Sequence, residues 1–217
     1  MRLDLRTLDQ DRAEALRLTP VSRETLERLD RYVEQVVRWS SSKNLVAPST
    51  LPFLWTRHVA DSLQLLPLLG DDVVIADFGS GAGFPGLVLA AALADKPGAM
   101  VHCIESKIGK AAFLREAARI CGLPVTVHAR RIEDVVPDLC GSVRVVTARA
   151  LAPLTDLLRL SHPLLKSGAR AVFLKGQDVE RELTDASICW RLSVERKASV
   201  TDPRGQVLLV HQADSLP

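Results

Sequence analysis

The sequence predicts an α/β fold in which a doubly wound, mostly parallel sheet follows a helical N-terminal extension. Three observations predict it. From Asp72 onward, short apolar runs alternate with helical segments, the pattern of repeated βα units. The first of those runs leads into a glycine-rich turn, FGSGAGFPG at 78–86, which opens a helix. Before Gly70, by contrast, apolar residues recur only at helical spacing. A chain of 217 residues, 47% apolar and 25% charged, has the size and composition of a folded domain with a sizeable core.

The elements follow in order. Ser22 reads as a helix N-cap, with Val21 and Leu26 as a hydrophobic staple and Glu24 in the first turn, where its charge suits the helix dipole. Leu26, Leu29, Val33, Val36 and Val37 then form one apolar face. The stretch SSSKNLVAPST (40–50) is rich in turn formers and reads as a loop. A second helix is expected from near Pro52 to Leu66, with Arg57 and Asp61, four apart, as a surface pair; Pro67 and Gly70 close it. Strands are expected at 73–78, 100–105, 124–129, 143–150 and 168–175. Helices are expected at 85–94, 108–122 (ending in a glycine cap), about 153–165 and 178–188. Segments 190–200 and 205–212, joined by TDPRG, read as an antiparallel pair. The chain thus divides into an extension, 1–70, and a doubly wound domain, 71–217, whose ligands should lie outside the carboxyl ends of the strands.

Composition excludes several classes. A net charge of +2 and a pI near 8.4 permit an anionic partner without arguing for one. The N-terminus mixes both charge signs and is no signal peptide, and no apolar stretch approaches the ~20 residues of a membrane helix. A cytoplasmic protein is the expectation. Cys103, Cys121, Cys140 and Cys189 form no CxxC pair or Cys/His cluster, so no metal is expected and the four read as buried thiols. His58, Asp61 and Ser62 would share one helical turn and cannot align as a hydrolase triad. His102 and His128 lie in apolar strands and read as core or strand-end residues. No Gly-Lys-Ser/Thr follows the glycines, so the turn is not a P-loop.

The turn satisfies two ligand patterns. Gly81, Gly83 and Gly86 match GxGxxG, with Glu105 19 residues further on as a ribose-binding carboxylate, which suits a dinucleotide. Asp77, Gly79, Gly81 and Gly83 spell D-x-G-x-G-x-G, which resembles motif I of class I S-adenosylmethionine methyltransferases, with Asp77 near the methionine amino group and Glu105 on the ribose. Two features favour the second. The terminal strand pair resembles the end of that class's seven-stranded sheet, and Glu133 and Asp134 follow the third strand, where that class contacts adenine. A nicotinamide-dependent oxidoreductase and a cofactor-binding regulatory module remain the alternatives. Arg149, Arg130, Arg131 and Lys175 all follow or end strands on the ligand side, which suggests a local anion site.

From about Trp39 to Gln177 the chain resembles the bacterial 16S ribosomal RNA guanine-N7 methyltransferases of the glucose-inhibited division protein B family. The resemblance rests on KNLV (43–46), RHVADS (57–62), DFGSGAGFPGL (77–87), RRIED (130–134), TARALAPL (147–154) and LKGQ (174–177). One departure is Ser40, where relatives often carry asparagine. The resemblance implies that Gly79, Gly81, Gly83 and Phe84 line an S-adenosylmethionine pocket, with Glu105 at the ribose and Ile132 and Glu133 at the adenine. It implies that Arg149 binds near the methionine end or the target and that Arg131 and Lys175 face RNA or position the target, with Arg149 and Lys175 as the catalytic pair. His58, Asp61 and Asn44 would hold the extension against the crevice, His58 and Asn44 on the substrate side. The implied partner is 16S ribosomal RNA or the small ribosomal subunit, met by a monomer.

Overall fold

The computed structural model describes residues 5–40 and 43–216. The apolar run before the glycine turn becomes β1 (Val74–Phe78), and the expected strands follow as β2 (Met100–Ile104), β3 (Val125–His128), β4 (Val145–Arg149) and β5 (Arg170–Lys175). The last pair is β6 (Trp190–Ala198) and β7 (Gln206–Ser215). Together they form one seven-stranded sheet in the order β3-β2-β1-β4-β5-β7-β6, parallel from β3 to β5, with β7 antiparallel to both β5 and β6. The strand order reverses beside β1, so the carboxyl ends of β1 and β4 flank the crevice where such sheets bind ligands.

Helices cover both faces, which is why β1, β4 and β5 read as continuous apolar runs. On one face lie α5 (Gly86–Leu93), α6 (Ile108–Cys121) and the N-terminal helices α1 (Leu5–Leu18) and α2 (Arg23–Ser40). On the other lie α7 (Ile132–Leu139), α8 (Leu154–Lys166) and α9 (Val179–Ser187). α5 is apolar all round because α2, β2 and the short helices beyond α2 enclose it. The extension shares this core: Leu29, Tyr32, Val36, Trp55 and Val59 are buried in the same cluster as Leu87, Leu89 and Phe113. Ser22 accepts the Thr25 N–H at 3.2 Å, the N-cap bond its sequence position predicts. Gly122, at φ +63°, ends α6 as the expected left-handed cap.

Three features differ from the sequence reading. The single helix expected from Pro52 to Leu66 is instead a 3-10 segment (Pro48–Phe53), a π turn (Trp55–Ala60), α3 (Asp61–Leu63) and α4 (Leu66–Leu69). A long-range contact helps set the break. The buried carboxylate of Asp11, on α1, accepts the Trp55 N–H at 2.7 Å and binds Thr56 through both its N–H and its hydroxyl. Arg57 and Asp61 do not pair with each other: Arg57 meets Asp202 and Asp61 meets Arg149, each at 3.2 Å. Helix α7 was not expected, and the Pro137 inside it obscured its period. Cys103 and Cys121 are buried as expected, but Cys140 and Cys189 are exposed; all four are free thiols. Among the described residues, no helix is long and apolar enough to cross a membrane, and no group of three or more His, Cys, Asp or Glu could hold a metal ion.

Candidate active site

The glycine turn is held from below and from the side. Gly83, at φ +96°, packs so tightly that an added Cβ would sit 2.7 Å from Leu87 Cγ and 2.9 Å from the Tyr32 hydroxyl. That hydroxyl, on α2, donates to the Ala82 carbonyl at 2.6 Å in a fully buried setting. At Gly86 the crowding comes from Asp77, whose Oδ2 would lie 2.6 Å from an added Cβ. Asp77 accepts the Gly86 N–H at 3.2 Å and the Thr147 hydroxyl at 2.9 Å, a pairing set by the β1–β4 register. Burial pushes its carboxyl up to about 6, against the pull of these hydrogen bonds and of Arg149. Glu105 faces the turn from the end of β2, accepting the Gly81 N–H at 3.1 Å and the Lys107 N–H at 2.7 Å.

Two pockets open along the carboxyl ends of the parallel strands. The first, about 400 Å³, is lined by Gly79, Glu105, Lys110, Arg131, Ile132 and Glu133, among others. The second, about 430 Å³, lies over β4 and β5 between the extension and the β6–β7 loop. Ala150 lines both, and at φ +51° it is the one described non-glycine residue in the left-handed region. Leu151 beside it covers Gly79, lying 2.6 Å from where a Cβ would be.

The second pocket carries three cations and three carboxylates, joined as pairs: Arg149 with Asp61, Arg57 with Asp202, and Lys175 with Glu182. Arg149 is fixed on every side. It donates to the Arg57 carbonyl at 3.0 Å and to His58 Nδ1 at 2.7 Å, and its guanidinium lies 5.3 Å from the Phe84 ring centre. Because Arg149 can only donate, His58 Nδ1 accepts, and His58 Nε2–H donates to the Thr50 hydroxyl at 2.9 Å. Thr50 in turn donates to the Ala47 carbonyl. Burial first, then the charges of Arg149 and Arg57, lower the His58 pKa to about 3, so the ring is neutral. It stacks on Phe84 at 4.9 Å. Asp61 also accepts from Gln64 and Thr201, tying the extension to the β6–β7 loop.

The structure sorts the predicted residues into distinct places. Gly79, Glu105, Arg131, Ile132 and Glu133 line the first pocket, and His58, Arg149 and Lys175 the second. Asp77, Gly83 and Phe84 are buried beneath them and shape the turn. The four expected rim cations do not converge: Arg130 and Arg131 border the first pocket, Arg149 and Lys175 the second. Lys175 is turned inward, its side chain 8% exposed, binding Glu182 at 2.5 Å and the Ala152 carbonyl at 3.0 Å. In KNLV, Leu45 and Val46 join the core, while Asn44 is exposed and makes no side-chain hydrogen bond among the described residues. His102 and His128 contact each other at 3.1 Å, away from both pockets. Sequence reasoning missed Tyr32, Thr50, Ala150, Glu182 and the 199–206 loop. Only the TDPRG turn and the ARALAPL run signalled any of them, and neither signal says which pocket a residue joins.

The chain matches, over residues 25–208, the family model described as GidB: rRNA small subunit methyltransferase G. A ribosomal RNA small subunit methyltransferase G of Bradyrhizobium sp. strain BTAi1 is 55% identical over 200 residues, 92% of this chain and 90% of the relative. One from Rhodopseudomonas palustris strain BisB18 is 52% identical over 201 residues, 93% of this chain and 86% of the relative. Among solved structures, the O-methyltransferase TomG from Streptomyces achromogenes, in complex with SAM, superposes with a TM-score of 0.60 at 16% identity, covering 97% of this chain and 99% of that one. An O-methyltransferase from Bacillus cereus, in complex with SAH, gives 0.59 at 14% identity, covering 92% and 96%.

Proposed function

The chain belongs to the GidB family, rRNA small subunit methyltransferase G, and from that premise we propose that it methylates N7 of a guanosine in 16S ribosomal RNA. Its fold is that of the class I S-adenosylmethionine-dependent methyltransferases.

The first pocket fits that cofactor. Its glycine turn brings bare backbone to the ligand side, and each Glu105 oxygen has one backbone partner, leaving acceptor capacity for ribose hydroxyls. Ile132 and Glu133, at the start of α7, border the side where an adenine would lie. Bound there, S-adenosylmethionine supplies an electrophilic methyl group on a sulfonium.

The observation that carries the reading is that, among the described residues, the adjoining pocket holds its histidine and carboxylates in fixed pairs and poises none as a base. His58 is held neutral with both ring nitrogens engaged, and each carboxylate is paired with a cation. Guanine N7 has a free lone pair and no proton to remove, so such a site suffices. Rate then comes from holding N7 in line with the methyl group. Arg149, fixed by four partners, and Lys175 orient the base, while Ala150 lies between the two pockets and lines both. In a stacked RNA helix N7 lies in the deep, narrow groove, so the target base is unpaired or splayed out. Arg131, exposed at the mouth of the first pocket, meets RNA phosphate. The protein acts as a cytoplasmic monomer on 16S ribosomal RNA or the small subunit.

Mapping N7-methylguanosine in 16S ribosomal RNA from cells with and without the gene tests this. One modified guanosine should be lost without it, and an unchanged map overturns the assignment.

A further inference from the structure

We infer that Glu182 reads the Watson–Crick edge of the target guanine, accepting its N1–H, and steadies the cation that forms as N7 is methylated. The inference rests on the guanine-N7 reading of the second pocket and adds to it the group that selects the base.

A base whose N7 must face the methyl group cannot be recognised through N7 itself. Recognition has to use the opposite edge, where guanine offers O6 as acceptor beside N1–H and the exocyclic amine as donors. The pocket therefore needs a free acceptor. Three carboxylates line it, and in two of them both oxygens already hold donors. Asp61 accepts from Arg149 on Oδ2 and from Gln64 and Thr201 on Oδ1. Asp202 accepts the Arg204 N–H on Oδ1 and Arg57 on Oδ2. Glu182 differs: Oε2 takes both Lys175, at 2.5 Å, and the Leu154 N–H, at 2.6 Å, while Oε1 has no donor among the described residues. One oxygen thus anchors the carboxylate and the other is left for a ligand.

Its partner completes the match. Lys175 has three N–H donors, one given to the Ala152 carbonyl, while its charge is paired with Glu182. The pair presents a donor beside an acceptor, complementary to guanine O6 beside N1–H. Adenine and 2,6-diaminopurine carry an amine and a bare ring nitrogen there, so each would set donor against donor and acceptor against acceptor. The chemistry adds a kinetic term. The N7 lone pair forms the new N–C bond as the C–S bond breaks, its electron pair staying on sulfur, and the positive charge passes from sulfonium to purine without proton transfer. That charge makes N1–H a stronger donor, so the Glu182 bond strengthens in the transition state.

The test uses otherwise identical RNA or small subunits carrying guanosine, inosine or 2,6-diaminopurine at the target position, assayed by single-turnover methyl transfer with wild type and Glu182→Gln. Wild type should accept inosine, which keeps O6 and N1–H, and disfavour 2,6-diaminopurine by about 100-fold or more. Glu182→Gln should lower the single-turnover rate constant on guanosine at saturating enzyme more than it raises the half-saturating enzyme concentration, and shrink the gap between the two bases to within about 10-fold. Equal losses on every base would mark Glu182 as merely holding Leu154 and Lys175, and would overturn the inference alone. If the variant does not fold, the wild-type series still decides: equal rates on guanosine and 2,6-diaminopurine overturn it. Absence of any N7 methylation by wild type overturns the underlying reading and the inference with it.

Discussion

Replacing Asp77 by Asn should make the protein more stable at neutral pH. Asp77 is fully buried, and burial raises its carboxyl from 3.8 to about 6 despite bonds from Gly86 and Thr147. The folded state therefore holds this proton more tightly than the unfolded chain does. Stability from this group is highest below pH 4, falls as pH rises through the window from 4 to 6, and is flat above it. The loss, at ~1.4 kcal/mol per tenfold, amounts to about 3 kcal/mol. An amide of the same shape avoids it. The Asn oxygen can accept the Gly86 N–H and its NH2 can donate to the Thr147 oxygen, at the cost of the bond that hydroxyl now donates, about 1 kcal/mol, which the relief of the buried charge exceeds. Urea unfolding at pH 5.0 and 7.5, followed by circular dichroism, reads the effect directly. Wild type should lose stability between the two pH values relative to Asp77→Asn, and the variant should be about 1–3 kcal/mol more stable at pH 7.5. A variant destabilised at pH 7.5, or parallel pH profiles, would refute the claim that the ionised carboxylate is a cost in the ligand-free fold. The same variant should bind S-adenosylhomocysteine more weakly if that charge is retained for the cofactor's ammonium group.

Three further outcomes follow from the framework around the site. Tyr32→Phe removes the buried bond to the Ala82 carbonyl and should cost about 1–3 kcal/mol in urea unfolding, with weaker S-adenosylhomocysteine binding by calorimetry. Asp11→Ala leaves the Trp55 and Thr56 N–H groups without their acceptor and should cost about 1–2 kcal/mol, read from the same curves. Gly83→Ala forces a side chain onto φ +96° and into Leu87 and Tyr32; strain of about 1–3 kcal/mol should accompany a tenfold or greater loss of S-adenosylhomocysteine affinity.

The doubly wound domain was legible because its signals are local. Buried strands such as VIADF, the Gly122 cap and the TDPRG turn each declare themselves within a few residues. The glycine turn was legible too, since φ > 0 at Gly79, Gly81 and Gly83 admits few other residues. What escaped was set by distant partners. No periodicity reveals that Asp11 caps a turn 44 residues on, or that Arg149 draws Asp61 away from Arg57. Arg149 and Lys175 stood out as cations at strand ends, but cations alone suggested an anion site. Their carboxylate partners, on α3 and α9, turn that edge into a paired and nearly neutral pocket.

That neutrality matters for how RNA is held. A guanine base is uncharged, and beside one in the second pocket an unpaired, half-buried cation would carry a desolvation cost and would oppose the charge forming on the purine. Pairing each cation removes both problems and leaves the hydrogen-bonding edges of the pairs to discriminate. The phosphates need cations of the opposite kind, exposed and uncommitted, and these lie elsewhere. Lys43, Lys107 and Arg131 are exposed and form no ion pair among the described residues; Lys107 and Arg131 line the first pocket, and Lys43 sits 3.9 Å from the Cβ position of Gly109 on α6. That arrangement would separate affinity from selection. On the proposed function, exposed cations about the first pocket would draw the backbone with a salt-dependent pull, and the paired charges of the second would choose the base. The extension is what makes the separation possible, since Asp61 and Arg57 neutralise partners on β4 and on the β6–β7 loop. Without it Arg149 would stand as a bare cation at the mouth of the sheet, suited to a phosphate and not to a guanine.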